Sequence, residues 1–421
     1  MMKIKNLFGA IMRSITVNGG APLYGEVKLS GSKNAALPIL FATILTEGVS
    51  RIRNLPDIGD VRITLEILRG LGARVSQIGD ETVIDTAELK YSHPRESDVC
   101  RIRASTYLIG ACLSRFGICA LPQFGGCNFS ERPIDLHIAA ARALGAEFDG
   151  KTLSADSLSG GEIDFPKPSV GATVNAILLA VCAKGRSVIR GFACEPHIDA
   201  LIDFLLSAGA DIKRTEREII IYGRKLHGGN IEIPGDMIEA GTYLALGTLT
   251  GGEVWVRGCP KEHLVAVISS LSSFGAKISA SSDGVSARQG SGMRYSEIIA
   301  APHPGFPTDL QPIFAVVAAH FWGGRITDTV WQSRFGYLSE LKKFGVSSKN
   351  EVGCAEIFPS KLHSARAKAP DLRGGMACVV AALVAKGESV IESAQTVERG
   401  YEALAEKLSS IGADVKISDQ Q

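Results

Sequence analysis

Runs of small apolar residues alternate with amphipathic stretches along this chain, and both kinds recur at a common spacing. The amphipathic stretches end in Gly-Ala or a close variant six times: LRGLGARV, ARALGAEF, LLSAGADI, SSFGAKIS, KKFGVSSK and SSIGADVK. Their glycines, Gly72, Gly145, Gly209, Gly275, Gly345 and Gly412, lie roughly 65–70 residues apart, a period that marks repeated architecture. Each suits a helix C-terminal cap, where the chain turns left-handed before an extended segment.

The small-residue stretches end in a second series of glycine turns followed by β-like runs: ILTEGVSRI, LSRFGICAL, CAKGRSVIR, LTGGEVWVR, FWGGRITDT and VAKGESVIE. Gly48, Gly117, Gly185, Gly251, Gly323 and Gly387 keep the same period. One unit thus predicts helix, turn, strand, helix, glycine cap, and strand or strands. Six such units predict an α/β chain.

The starts of the small-residue helices read GSKNAALP, RIRASTYL, PSVGATVN, DMIEAGTY, FPTDLQPI and PDLRGGMA. Helix N-termini present unpaired N–H groups and a partial positive charge, which suits anions. Lys33, Arg103 and Arg373 add full positive charges at or near three of these starts. Cations oppose the helix dipole there. Their placement points to ligand binding over a solvated face.

Composition narrows the setting. At 421 residues, two or three domains are expected. The chain is 45% hydrophobic and 21% charged with net charge +1, which argues against non-specific nucleic-acid or membrane-surface binding. Any anion site must be assembled locally by folding. The nine cysteines show no CxxC or CxH spacing, so neither a disulfide framework nor a zinc site is expected, and a reducing cytoplasm fits. The start, MMKIKNLFGAIMR, is too short and too interrupted for a signal peptide or membrane span, and Met12 is a second candidate initiator.

One stretch stands apart from the repeats, LPQFGGCNFSERPIDLH at 121–137. Two glycines permit close approach of the backbone to a ligand. They deliver Cys127, five residues before Arg132, and a neighbouring cation lowers a cysteine pKa.

The segments LYGEVKLSGSKNAALPIL, RIRAS, GGCNFSERPIDLH, KPSVGAT, APHPGFPTDLQ, DTVWQSRF, DLRGG and ERGYE together carry a family resemblance. From about Ile15 to Val415 the chain resembles the enolpyruvyl transferases. The resemblance implies two inside-out α/β barrel domains, each of three βαβαββ-like repeats, with the active site in the cleft between them. Residues 34–234 would form one domain, and 12–33 with 235–421 the other. It implies transfer of the enolpyruvyl group of phosphoenolpyruvate to the 3'-hydroxyl of UDP-N-acetylglucosamine in peptidoglycan precursor synthesis. Phosphate leaves, and neither metal nor organic cofactor is implied.

Phosphoenolpyruvate carries a phosphate and a carboxylate, which call for several guanidinium or ammonium groups. By the resemblance, Lys33, Arg132 and Arg399 contact the phosphate, Arg334 and Arg373 clamp the rest of the molecule, and Arg103 adds a cation facing the substrates. Cys127 is implied as the general acid to C3, and Asp309 as a base near the attacking hydroxyl. Alone, Asp309 would read as a helix cap, and in this setting both roles are compatible. Pro133, Ile134, Asp135 and Leu136, with Lys167, Pro168, Ser169, Val170 and Gly171, match segments that hold uridine and diphosphate. Asn34 and Asp309 would face the sugar and Val330 would line it, while His137 reads as a packed, hydrogen-bonded histidine.

The chain departs from the common family pattern at Gln123-Phe124, an apparent two-residue extension, and at Tyr107, Gln332 and Ser333. These leave the reaction type in place and bear on the acceptor. A relative acting on another nucleotide, such as UMP, and a non-catalytic UDP-sugar-binding copy are the alternatives.

Overall fold

The computed structural model describes residues 13–92, 94–121, 125 and 133–419. Each of the twelve repeat glycines adopts positive φ, from 72° at Gly251 to 113° at Gly48. That region costs a side-chain-bearing residue steric energy and costs glycine almost none, so the glycine periodicity is a periodicity of turns.

Six small-residue helices begin the six units: Lys33–Ala42, Leu108–Phe116, Val170–Ala180, Met237–Leu249, Gln311–His320 and Leu372–Val384. Ala35–Ala42, Ala172–Ala180, Ile238–Leu249, Gln311–Ala319 and Leu372–Leu383 are buried at every position. A helix apolar on all sides belongs in a core. Alanine and glycine let such helices approach closely: a Cβ on Gly110 would lie 2.9 Å from the Leu178 Cβ of the neighbouring helix. The amphipathic helices bury one stripe each, as Val61, Ile63, Thr64, Ile67 and Leu68 do in Gly59–Gly70.

Sheets wrap these helices, with a common plan. Strand Glu253–Arg257 pairs parallel with Tyr24–Lys28 and antiparallel with Gly284–Arg288, which continues as a hairpin with Lys277–Ala280. Val49–Arg53, Arg186–Arg190 and Gly324–Asp328 repeat this pattern with their own parallel partners, Asn230–Glu232, Glu162–Asp164 and Ser296–Ala300. In the last sheet the first and last described strands meet: Arg13–Gly19 lies antiparallel between Gly387–Glu392 and Asp414–Asp419. Helices inside and sheets outside make an inside-out α/β arrangement.

Two hydrophobic clusters result. One gathers buried residues from Ala35 to Ile233; the other gathers Ile15 to Leu29 together with Ile238 to Val415. The chain passes between them twice, side by side. Gly31 bridges antiparallel to Gly235, and Ser32 N–H donates to the Pro234 carbonyl at 2.7 Å.

Candidate active site between the two cores

Lys33 is the first helical residue after the crossing, and its backbone N–H donates to Asp236 Oδ2 at 3.0 Å. Its Nζ lies 2.8 Å from Asp60 Oδ2, on the helix Gly59–Gly70. Arg399, from the other core's sequence, donates its Nε to Asp60 Oδ1 at 2.7 Å. Asp60 is 3% exposed, so this is no surface ion pair. Burial works to raise the Asp60 pKa, but the charges of Lys33 and Arg399 more than offset it and hold the carboxyl below its ordinary value.

A second carboxylate does the same for a second cation pair. Asp309 Oδ1 accepts from Arg334 at 2.7 Å, and Oδ2 accepts from Arg373 Nε at 3.0 Å. The two arginines are 5% and 2% exposed, and the Arg373 guanidinium lies over the Tyr401 ring at 5.5 Å. Burial again pushes the carboxyl up, and Arg373 and Arg334 overcome it, holding Asp309 well below the usual carboxylate range. The expected helix-cap role of Asp309 is not realised. Asp309 lies inside the 3-10 turn Thr308–Leu310, Leu310 takes the N-cap position of Gln311–His320, and both carboxylate oxygens of Asp309 are taken by guanidiniums.

The segments around Thr106, His137 and Gly171 are drawn together by Asn175, which is wholly buried. Its Oδ1 accepts from Gly110 N–H at 2.6 Å. Its Nδ2 reaches the Thr106 carbonyl at 3.1 Å, His137 Nδ1 at 2.7 Å and the Gly171 carbonyl at 3.3 Å. One amide therefore ties the turn Arg103–Tyr107, the helix Asp135–Ala143 and the helix start at Val170. Burial, with the Arg103 charge, lowers the His137 pKa to about 4. Neutral and hydrogen-bonded, His137 is the packed residue expected. Ser169 caps Val170–Ala180, accepting from Ala172 N–H at 3.4 Å, and Gly171 leaves room for His137, whose Cε1 would be 2.9 Å from an added Cβ. Pro133, Asp135, Lys167 and Pro168 are exposed, and Ile134, Leu136, Val170 and Val330 are half-buried. Asn34 shares a small recess with Ser32, His197, Asp236 and His263.

The family-level sequence profile of EPSP synthase (3-phosphoshikimate 1-carboxyvinyltransferase) matches residues 17–408. The chain belongs to this carboxyvinyltransferase family. It is 41% identical to UDP-N-acetylglucosamine 1-carboxyvinyltransferase 3 of Caldanaerobacter subterraneus subsp. tengcongensis, over 96% of this chain and 99% of the relative. It is 36% identical to UDP-N-acetylglucosamine 1-carboxyvinyltransferase 2 of Staphylococcus aureus, over 95% and 98%. Among solved structures, the enolpyruvyl transferase NikO from Streptomyces tendae shares the fold with a TM-score of 0.87 at 24% identity, covering 98% of this chain and 100% of that one. EPSP synthase from Acinetobacter baumannii shares it at 0.73 and 19%, covering 96% and 100%.

Placed on the family fold, the sequence-expected cations Lys33, Arg399, Arg334 and Arg373 fall into two carboxylate-bridged pairs. Cys127 and Arg132, with the Gln123-Phe124 extension, lie outside the described residues. Tyr107 packs edge-on to Phe41 with ring centroids 6.1 Å apart, and Gln332 and Ser333 are exposed.

Sequence reasoning missed Asp60, Asn175, His197 and Glu195. Burial raises the Glu195 pKa. Its Oε1 accepts from His303 N–H at 3.5 Å, and Oε2 is buried without a hydrogen bond. Only Asp60 carried a signal: it sits at the start of an amphipathic helix, where a carboxylate is ordinarily a dipole partner.

Proposed function

We propose that this carboxyvinyltransferase moves the enolpyruvyl group of phosphoenolpyruvate to the 3'-hydroxyl of UDP-N-acetylglucosamine and releases phosphate, a step of peptidoglycan precursor synthesis. The observation that carries the reading is the two carboxylate-bridged cation pairs, Lys33 with Arg399 on Asp60 and Arg334 with Arg373 on Asp309, the first of which joins the two cores. Two anionic ends of one small substrate need two such cation sets, with guanidinium forks matched to planar carboxylates and to phosphate.

In this reading Lys33 and Arg399, joined by Arg132, take the phosphate, while Arg334 and Arg373 take the carboxylate. Once a substrate carboxylate shares those guanidiniums, the charge that depresses Asp309 is divided. Its pKa then rises toward the range where it can accept the proton of the attacking hydroxyl. The hydroxyl oxygen bonds to C2 as its proton passes to Asp309, and Cys127 gives its proton to C3; a proton then leaves C3 as the C2–O bond to phosphate breaks, which restores the double bond and releases phosphate. Asn34 and Val330 face the sugar. Arg103 and the segments 133–136 and 167–171 hold the nucleotide, the latter through N–H groups at the start of helix Val170–Ala180. We assign residues 34–234 to one domain and 12–33 with 235–421 to the other, and the cysteine spacing favours the cytoplasm.

The test is phosphate release from phosphoenolpyruvate with UDP-N-acetylglucosamine, UMP or shikimate 3-phosphate as acceptor. Release with the first alone is expected. Release only with UMP overturns the acceptor, and release with none leaves a binding protein. Cys127→Ser should cripple turnover and Cys127→Asp should be milder; near-normal activity in Cys127→Ser removes the acid role.

A further inference from the structure

The Lys33–Asp60–Arg399 triad is backed by a second polar network that the proposed reaction does not use. Each triad member has a network residue three positions away: Ser30 before Lys33, Asp57 before Asp60 and Glu402 after Arg399. Ser30 Oγ donates to Glu402 Oε2, and Glu402 Oε1 accepts from Asp57 N–H at 2.8 Å. One serine and one carboxylate thus join all three segments that carry the triad.

Two charged groups buttress that joint. Glu239 is 2% exposed on helix Met237–Leu249. Its Oε2 accepts from Ser30 N–H at 2.8 Å, and its Oε1 accepts from Lys407 Nζ at 2.6 Å. Lys407 Nζ also donates to Ser30 Oγ at 2.6 Å. The Ser30 carbonyl accepts from Asp236 N–H at 2.9 Å, so the main chain of Ser30 is pinned on both sides. Lys33 follows this pinned segment by three residues.

We propose that Glu239 and Lys407 are positioning residues for phosphoenolpyruvate: through Ser30 and Glu402 they set the spacing of Lys33, Asp60 and Arg399. The proposal rests on the reading of those cations as the phosphate site. A buried charge pair is a poor source of net stability, because desolvation offsets its attraction. It does fix geometry, since both Glu239 oxygens must meet donors at once. Glutamine at this position keeps the shape but offers one oxygen and one NH2 group. Either Ser30 N–H or the Lys407 ammonium then faces a donor.

The same network carries a pH dependence. Burial raises the Glu239 pKa to about 7, against the opposing pull of Lys407 and the Ser30 N–H, with Asp236 adding to the rise. The other ionisable groups around it are Tyr243, one turn along its own helix, and Glu402 beyond Ser30. As pH falls through 7, Glu239 gains a proton, its pair with Lys407 weakens, and the triad loses its brace.

The experiment compares the wild-type chain with Glu239→Gln in phosphate-release kinetics at varied phosphoenolpyruvate, from pH 6 to 8, alongside phosphoenolpyruvate binding by calorimetry. At pH 8 the expected result is a KM and Kd for phosphoenolpyruvate raised about tenfold, the change that a buried unsatisfied donor of ~1.4 kcal/mol produces. The kcat should stay within about twofold and the KM for UDP-N-acetylglucosamine should not move, since the network's hydrogen bonds do not include Asp309. The ratio of variant to wild-type KM should shrink toward pH 6, where wild-type Glu239 is itself protonated. Equal constants for phosphoenolpyruvate in the two proteins, or a variant that only melts earlier, overturns the proposal. Should Glu239→Gln fail to fold, Glu402→Gln breaks the same joint at its half-buried end and must shift the KM in the same direction. A wild type that turns over with unaltered variants defeats this inference alone. A wild type that binds phosphoenolpyruvate more tightly than the variant yet releases no phosphate defeats the proposed function and leaves the inference standing.

Discussion

Asp309→Asn separates the two tasks of that carboxylate, because it keeps the shape and removes the charge. Arg334 and Arg373 would remain 5% and 2% exposed beside a neutral amide. Two unit charges about 4 Å apart attract by ~4 kcal/mol at an effective dielectric of about 20, and losing one partner of a buried pair costs ~3–5 kcal/mol net. Asp309 itself is 26% exposed at the side chain, so the low end, ~3 kcal/mol, is expected. For a core of this size that corresponds to a fall in Tm of roughly 6–12 °C.

Phosphoenolpyruvate should repair the loss, since its carboxylate supplies the missing anion and no longer shares the guanidiniums with a charged Asp309. The variant should therefore gain more Tm from saturating phosphoenolpyruvate than the wild type does, with a Kd unchanged or lower. Its single-turnover phosphate release should fall by on the order of 10²–10⁴, the usual contribution of a general base. Differential scanning fluorimetry, calorimetry and rapid-quench kinetics read these three quantities. A variant that melts like wild type refutes the pairing argument. A Kd that rises in step with the lost rate refutes the sharing of Arg334 and Arg373 between Asp309 and the substrate carboxylate.

Three further outcomes are expected. Asp60→Asn should lower the urea unfolding free energy by ~3 kcal/mol and raise the KM for phosphoenolpyruvate while sparing that for the nucleotide, because Lys33 and Arg399 lose their shared anion. Gly171→Ala places a Cβ 2.9 Å from His137 Cε1; nucleotide KM should rise by roughly tenfold with phosphoenolpyruvate KM unchanged, as overpacking at ~1–3 kcal/mol displaces the helix start. His197 is 8% exposed, and burial lowers its pKa to about 4. A depressed histidine contributes stability in full above its unfolded value near 6.5 and loses it as pH falls toward 4, a change of up to ~3 kcal/mol. His197→Gln should flatten that part of the stability profile, and an unchanged slope would show that His197 does not titrate there.

The amino-acid sequence by itself determined the repeated architecture. A glycine at each helix end and at each turn is a local demand, because backbone sterics at that residue decide positive φ, and all twelve such glycines meet it. The small-residue helices were legible for a related reason: a segment apolar on every side has to be buried. The cations Lys33, Arg334, Arg373 and Arg399 were legible as a motif set, but their partners were not.

Asp60 lies 339 residues from Arg399, and no periodicity links positions that meet only when two cores pack. The same holds for Glu239 and Lys407, 168 residues apart, and for Asn175, whose partners Thr106 and His137 lie 69 and 38 residues away. Asp309 shows the limit most clearly. Its local sequence predicts a helix cap, and tertiary structure overrides that by placing two buried guanidiniums within hydrogen-bonding distance. Local geometry follows from short-range sterics that each residue carries with it. Charge pairing and pKa follow from burial, which exists only once the chain has folded.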